Sequence, residues 1–442
     1  MPFTTTNADF NTMLKEYMPY ELLFEEVMKR DYFLGKVDKD KTWKGGTLRV
    51  PFMGAHASSF AYGQMTLEDE INEDKPVNGT VTDYKEIWGS MVFNDHDLAR
   101  HGDMKQSFLK ILPDRLEAFI GRMKEVVSVN LLNGTHHASL VLGEPGEDLA
   151  NGVVAVDRPA RLSIGQFFEV GVVGQNKAAG ENAQDGLYVG QIDISAKLIT
   201  LYTDKALTAT ANLAALNDGG AGPTSVAAGD KLFVKGASIA GRGFTSLREQ
   251  LLAPGVPGAS STLFGISKLA YPHLQAVNID GTAEGIVANN FLEKLFDAYN
   301  VTREVGKGNP TDYIMSYKRL AHCMRNLELG ESGGYGRDFR VADTRVNAFG
   351  WTEIDVVGVK GKLTIVGVQE MDDDIVYMID WSAVKLFSND FFERRTAPDG
   401  KQFYEIRATD GSGYKYIIDT RFFGELIVSK PSHCGVIHSL NF

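Results

Sequence analysis

Three places in this 442-residue chain carry residue types whose spacing could do chemistry. His136-His137 offers two imidazoles, Asp372-Asp373-Asp374 three carboxylates, and Gly330-Glu331-Ser332-Gly333-Gly334-Tyr335-Gly336 a flexible run of small residues. These would suit a transition metal, a hard divalent cation and a phosphate, respectively. Each stops short of its chemistry. Neighbours on a helix point about 100° apart, whereas zinc-binding histidines on a helix stand four apart. The aspartates lack the glycine and distal glutamate of a calcium loop, and lie between Val368 and Val376 as a solvated hairpin tip would. The glycine run lacks the Lys-Ser/Thr ending and follows a helical pattern where a phosphate loop follows a strand. H-E-x-x-H and C-x-x-C are absent. No catalytic, cofactor-binding or metal-ligating residue is assigned, no cofactor is expected, and the chain reads as a non-enzyme that works by assembly.

Composition narrows the partners. Forty-five Lys and Arg against 57 Asp and Glu leave a net charge of −12, which disfavours broad adhesion to nucleic acid or anionic membrane. No apolar run approaches the roughly 18 residues of a membrane span. Met1 to Phe10 is polar, without the basic start and apolar core of a signal peptide. Cys323 and Cys434 are far apart and read as buried, reduced thiols. Forty-six Gly against 14 Pro favour many strands joined by tight turns.

The elements follow from periodicity. Residues 1–46 hold one amphipathic stretch (Tyr17, Tyr20, Leu22, Leu23, Phe24, Val27, Met28) and then a basic run, and read as an extended arm. From Thr47 to Asn94, Leu48, Val50 and Phe52 alternate outward, while Val81, Tyr84, Ile87, Trp88, Met91 and Phe93 form a returning half. This predicts a long hairpin whose tip carries Glu68, Asp69, Glu70, Glu73 and Asp74. Leu112, Leu116, Phe119, Ile120, Met123, Val127 and Leu131 hold one helical face, ending at Asn133-Gly134. Short strands between Gly, Asn and Asp turns predict a small all-β unit near 149–243. A mixed α/β body follows, with helices over 282–299 and after Ser316. The chain closes on an apolar strand pair, Tyr414–Ile418 leading into Thr420–Pro431.

Arm, polar hairpin, long helix, mixed body and closing strand pair, in that order, resemble the major capsid protein family of tailed phages, the Hong Kong 97-type fold. The resemblance implies an α+β architecture: N-terminal arm 1–46, E-loop hairpin 47–94, peripheral domain with spine helix 95–148, inserted all-β domain 149–243, axial domain and connections 244–390, and peripheral return strands 391–442. It also implies hexamers and pentamers of one chain in an icosahedral phage head, assembled in the host cytoplasm around double-stranded DNA without sequence-specific binding. Scaffolding, portal and decoration proteins would be partners, and no membrane is involved. An arm and a hairpin with few apolar residues gain stability by docking on neighbouring copies. The basic arm residues Lys39 and Lys41, together with Arg49, are therefore expected to face the acidic tip, Glu68, Asp69, Glu70, Glu73 and Asp74, across a subunit interface. An encapsulin-like nanocompartment shell shares the fold and is the nearest rival. A carbohydrate-binding or enzymatic protein using the β unit is the alternative of a different class.

Overall fold

The computed structural model describes residues 31–53, 76–94, 104–329, 341–346, 352–358, 361–395 and 400–442, apart from 45, 83–84, 135, 183, 219–222, 240, 389, 402 and 408–413. The described residues form two units. One comprises those up to Ser128 and from Leu247 onward, and the other is Val129–Ser246.

A fifteen-residue strand, Tyr414–Val428, organises the first unit. Lys85–Asn94 runs antiparallel to it over ten residue pairs, from Lys415 opposite Asn94 to Gly424 opposite Lys85. Tyr404–Arg407, Phe392–Arg394 and Val384–Phe387 pair with successive parts of the same strand, and Asp38–Asp40 adds parallel to the last. The expected closing pair is thus one strand. Asp419, between the two expected segments, continues the alternation instead of turning, because it meets a ladder partner in Ser90. Gly424 marks where the strand leaves that partner for Val384–Phe387. Its φ is +151°, and a Cβ there would stand 2.6 Å from the Phe387 carbonyl oxygen.

The expected hairpin is also redrawn. Leu48–Met53 pairs with Pro76–Val81, whereas Lys85–Asn94 goes to the long strand. The base of the hairpin is seated on its own unit: Trp43, Val50, Phe52 and Val81 share a core with Leu263, Ile266, Leu274 and Ile427. The tip residues lie outside the described residues. So does the amphipathic stretch 17–28. Residues 31–43 are not an extended arm: Asp31 caps a short helix, α1 (Tyr32–Lys36), and Tyr32, Phe33, Leu34, Val37 and Trp43 are buried. Aromatic and aliphatic side chains this dense bury themselves where a solvated arm would be polar.

Helix α2 (Met104–Leu132) runs through Pro113, and Gly134 just beyond it takes a positive φ of +118°. Phe119, Ile120, Met123 and Val127 bury one face. Phe119 and Met123 sit under Gly89, where a Cβ would meet the Phe119 ring at 2.9 Å, so glycine lets sheet and helix close up.

A second sheet in this unit has the order 277–280, 435–438, 376–379, 312–315, 361–367, 352–358, 341–346 among the described residues. Asp312–Met315 and Val376–Ile379 are buried along their whole length, which is why both read as near-continuous apolar runs. Besides α1 and α2, three further helices of the described residues belong to this unit: α3 (Leu247–Leu251), α4 (Phe291–Gly306) and α5 (Tyr317–Leu329). Phe291, Leu292, Leu295, Leu320 and Cys323 of α4 and α5 pack with Tyr313, Ile365, Met378 and Ile437 of the sheet. Helix α4 starts nine residues later than periodicity suggests, because Asp280 and Asn290 side chains accept backbone amides of Thr282 and Val287 and hold turns. Gly435–His438 belongs to this second sheet, so 391–442 divides between two sheets.

In Val129–Ser246, strands 231–233, 136–141, 153–156, 198–202, 187–193 and 167–172 pair in that order, and 231–233 also pairs with 167–172. The ring closes into a small barrel with an edge strand, Gln175–Asn176. Its interior is filled by Leu140, Val154, Val156, Phe168, Val170, Leu187, Val189, Ile199, Leu201 and Leu232. Each such side chain contributes about 1.5–3 kcal/mol on burial. The unit starts ahead of residue 149, since strand 136–141 belongs to the ring.

Candidate functional site

Alternation along Lys85–Asn94 sends Ile87, Gly89, Met91 and Phe93 toward α2, and Glu86, Trp88, Ser90 and Val92 to the other face. That outer face is unusual. Trp88 is 43% exposed, Val92 38% and Ile406 51%, and half-buried Tyr404 and Ile417 stand in one cross-strand row with Val92. Cations flank the apolar row. Arg395 lies 5.7 Å from the Trp88 ring and 5.2 Å from the Tyr404 ring, and Arg421 lies 5.5 Å from Trp88 and 4.6 Å from Phe423. Arg421 is fixed by Glu393, whose Oε2 accepts its Nε at 2.8 Å, and by Glu86 at 3.2 Å. Burial disfavours its charge, but the two carboxylates outweigh this and move its pKa up. Ser90 Oγ donates to Asp419 at 2.6 Å and completes the face. The result is an aromatic platform between two guanidinium groups, beside aliphatic rows and with no catalytic geometry. It can bind an extended segment through apolar contact, cation–π attraction and ion pairing.

Three of the expected interface residues, Lys39, Lys41 and Arg49, are among the described residues. Lys39 is half-buried, its ammonium turned to the Val37 carbonyl at 3.4 Å, and burial lowers its pKa against the pull of Asp38. Lys41 is exposed and stands 3.9 Å from Asp390. Arg49 is exposed, opposite Thr80. Glu68, Asp69, Glu70, Glu73 and Asp74 lie outside the described residues. The platform was missed by sequence reasoning, which counted Trp88 with Ile87 and Met91. A signal was present: Trp88 is out of phase with Ile87, Met91 and Phe93 in a period-2 strand.

Two of the three chemistry-like motifs resolve structurally, and the third, Gly330 to Gly336, lies outside the described residues. His136 and His137 open a strand, where neighbours point to opposite faces, and His137 is buried with its ring 5.5 Å from Phe168. Asp372 and Asp374 do not form a solvated tip. Arg248 bonds Asp372 at 3.0 Å and Asp374 at 2.7 Å, and Asp372 is buried. Arg319, itself buried, donates to the carbonyls of Asp373 at 2.6 Å, Leu440 at 2.8 Å and Phe442 at 2.5 Å. These arginines stitch the turn between strands to α3 and α5. Gly330 to Gly334 also reads as G-x-S-x-G. It follows α5, whereas a nucleophile elbow follows a strand. Among the described residues no group of His, Cys, Asp and Glu is placed to hold a metal, and no helix is long and apolar enough to cross a membrane.

Comparison with known proteins places capsid proteins beside this chain. No protein-family model matches it, and no curated protein matches it. Among solved structures it is similar to the capsid of cyanophage A-1(L), at 10% identity, covering 92% of each chain with a TM-score of 0.45. It is also similar to the capsid of a native GTA particle, at 9% identity, covering 94% of this chain and 91% of the other with a TM-score of 0.42. An encapsulin complex from Synechococcus elongatus is similar at 8% identity, over 94% and 89%, with a TM-score of 0.41.

Proposed function

We propose that this chain is the structural subunit of a closed protein shell, a major capsid protein of an icosahedral phage head that encloses double-stranded DNA. The observation that carries the reading is the outer face of the sheet built on Tyr414–Val428. Trp88, Val92, Ile406 and Tyr404 lie open between Arg395 and Arg421, while the same sequence supplies an acidic, sparsely apolar run in Met65-Thr66-Leu67-Glu68-Asp69-Glu70-Ile71-Asn72-Glu73-Asp74. Complementary surfaces on one chain are met between copies, and repeated around a closed ring they turn weak contacts into a strong shell. Glu68, Asp69, Glu70, Glu73 and Asp74 of one copy then seat on the aromatic–arginine face of the next, while the exposed Lys41 and Arg49 are left to further contacts between copies and Lys39 is held by its own backbone. Residues 1–30 and the hairpin tip act as the exchanged extensions, 149–243 as an inserted domain, and α2 as the spine of the peripheral domain. Assembly in the host cytoplasm with scaffolding, portal and decoration proteins completes the reading. The net charge of −12 suits a container that holds a polyanion without gripping it.

Negative-stain microscopy and analytical ultracentrifugation of the purified chain test this. Closed particles or hexameric and pentameric rings are expected. A monomer at every concentration and ionic strength overturns the reading, and shells filled with protein cargo in place of DNA assign the chain to a nanocompartment instead.

A further inference from the structure

The two arginines of the aromatic face are not equivalent. Arg421 is already paired: Glu393 accepts its Nε at 2.8 Å, and Glu86 accepts its Nη1 at 3.2 Å. Arg395 is exposed, and its guanidinium rests on rings alone, 5.7 Å from Trp88 and 5.2 Å from Tyr404. Its amide donates to the Asp419 carbonyl at 3.0 Å, which fixes where the side chain starts. The Asp419 carboxylate accepts the Ser90 hydroxyl at 2.6 Å. Among the described residues no carboxylate lies within ion-pair distance of Arg395, and its side-chain N–H donors have no acceptor in the subunit. Two rings therefore hold this guanidinium in place without satisfying it. A carboxylate is the group that its forked donors fit.

Strand register sets the spacing around it. Across the face, Trp88 stands with Arg421 and Glu393, and Ser90 with Asp419 and then Arg395. The next rows are Val92 with Ile417 and Tyr404, and Asn94 with Lys415 and Ile406. Successive rows are two strand residues apart, about 6.6 Å. An extended segment laid along the strands repeats its side chains on one side at the same interval. In this order the rows fit an apolar group on Trp88, an acid on Arg395, an apolar group on Val92 and Tyr404, and an acid on Lys415. Lys415, like Arg395, has no ion pair among the described residues. Leu67, Asp69, Ile71 and Glu73, which lie outside the described residues, supply that alternation of apolar and acidic groups. The other side of the same segment, Thr66, Glu68, Glu70 and Asn72, offers no apolar group. Running the segment the other way sets Glu73 beside Glu86, where like charges repel.

We propose that the segment Leu67 to Glu73 of one copy binds extended along Lys85–Asn94 and Tyr414–Val428 of the next, with Asp69 on Arg395 and Glu73 on Lys415. Arg395 is then the residue that reads the acid. Arg421, already held by two carboxylates, positions Trp88 and repels no partner of its own. Glu68 and Glu70 face away from the platform. The inference rests on the reading of the chain as a shell subunit, and adds to it a register, a direction and one recognition residue.

Sedimentation velocity of the full chain and its charge-swapped variants tests the register. Arg395→Glu and Asp69→Arg should each weaken self-association by about tenfold to a hundredfold. Glu68→Arg and Glu70→Arg should change it by less than about fivefold. Joining Arg395→Glu with Asp69→Arg in one chain should recover association, and joining it with Glu68→Arg should not. An equimolar mixture of the two single variants, Arg395→Glu and Asp69→Arg, should associate where neither does alone, because each face then meets a matching segment on the other chain. Recovery by Glu68→Arg as good as that by Asp69→Arg, an Asp69→Arg chain that associates normally, or a mixture that stays apart overturns the proposal and leaves the shell reading standing. A natural chain that stays monomeric overturns both. Should Arg395→Glu not fold, Arg395→Gln and Asp69→Asn decide: each should weaken association, and the two together no further than either alone.

Discussion

Trp88 and Arg421 face one another across neighbouring strands, the guanidinium carbon 5.5 Å from the indole centre, on the solvent side of a sheet whose other side is packed on α2. An exposed tryptophan held between arginines stabilises little within the subunit and is well suited to a partner. Trp88→Ala and Arg421→Glu should therefore abolish or strongly weaken self-association in sedimentation velocity. Thermal unfolding of the isolated subunit should move little for Trp88→Ala, since exposed substitutions change stability by about 0.5 kcal/mol or less, and fall further for Arg421→Glu, which sets a third carboxylate beside Glu86 and Glu393. Loss of the fold with no separate loss of association would show that the pair acts only within the chain.

Gly89 is required by the aromatic ring packed beneath it, and Gly424 by a neighbouring backbone carbonyl. Gly89→Ala places a methyl group 2.9 Å from the Phe119 ring, and Gly424→Ala places one 2.6 Å from the Phe387 carbonyl oxygen at a positive φ. Each should lower stability by about 1–3 kcal/mol, read as a lower denaturation midpoint at an unchanged slope.

Arg248 is the cation shared by Asp372 and Asp374. Arg248→Met takes the guanidinium away from the buried Asp372 carboxylate and should destabilise by about 3–5 kcal/mol. Adding Asp372→Asn should recover a substantial part, and a double-mutant cycle by chemical denaturation measures the coupling.

Cys323 and Cys434 are both buried and free. Burial pushes the Cys434 thiol up to about 12 and the Cys323 thiol higher still. Neither should react with a thiol reagent in the native protein at pH 8, and both should react once it unfolds. The sign of the pH effect follows. Both folded values lie above the ordinary 9.0, so the thiol contribution to stability is whole below pH 9 and is lost as pH rises toward 12. A Cys323→Ala, Cys434→Ala variant should show a shallower alkaline loss of melting temperature between pH 9 and 10 than the natural chain.

Local pattern was legible in particular residues. The spacing of Leu116, Phe119, Ile120, Met123 and Val127 marks the buried face of α2, and the apolar run in Asp312–Met315 marks a strand covered on both sides. Pairing was not legible. Val81 and Phe93 carry equally good strand signals, yet one returns to Leu48–Met53 and the other goes to Tyr414–Val428, more than three hundred residues away. The platform residues Trp88, Tyr404, Arg395 and Arg421 come from four separate segments, so no motif announces them. The aspartates 372–374 read as solvated because nothing local says that Arg248 and Arg319 arrive from elsewhere.

By itself, then, the sequence determined which stretches are helix and strand, which faces are apolar and that the chain is acidic, because periodicity and charge are properties of neighbours along the chain. Only the tertiary structure decided which strands meet, which charges are buried together and which apolar face stays open. Those depend on pairings between distant segments, whose alternatives differ in long-range packing and hardly at all in local preference.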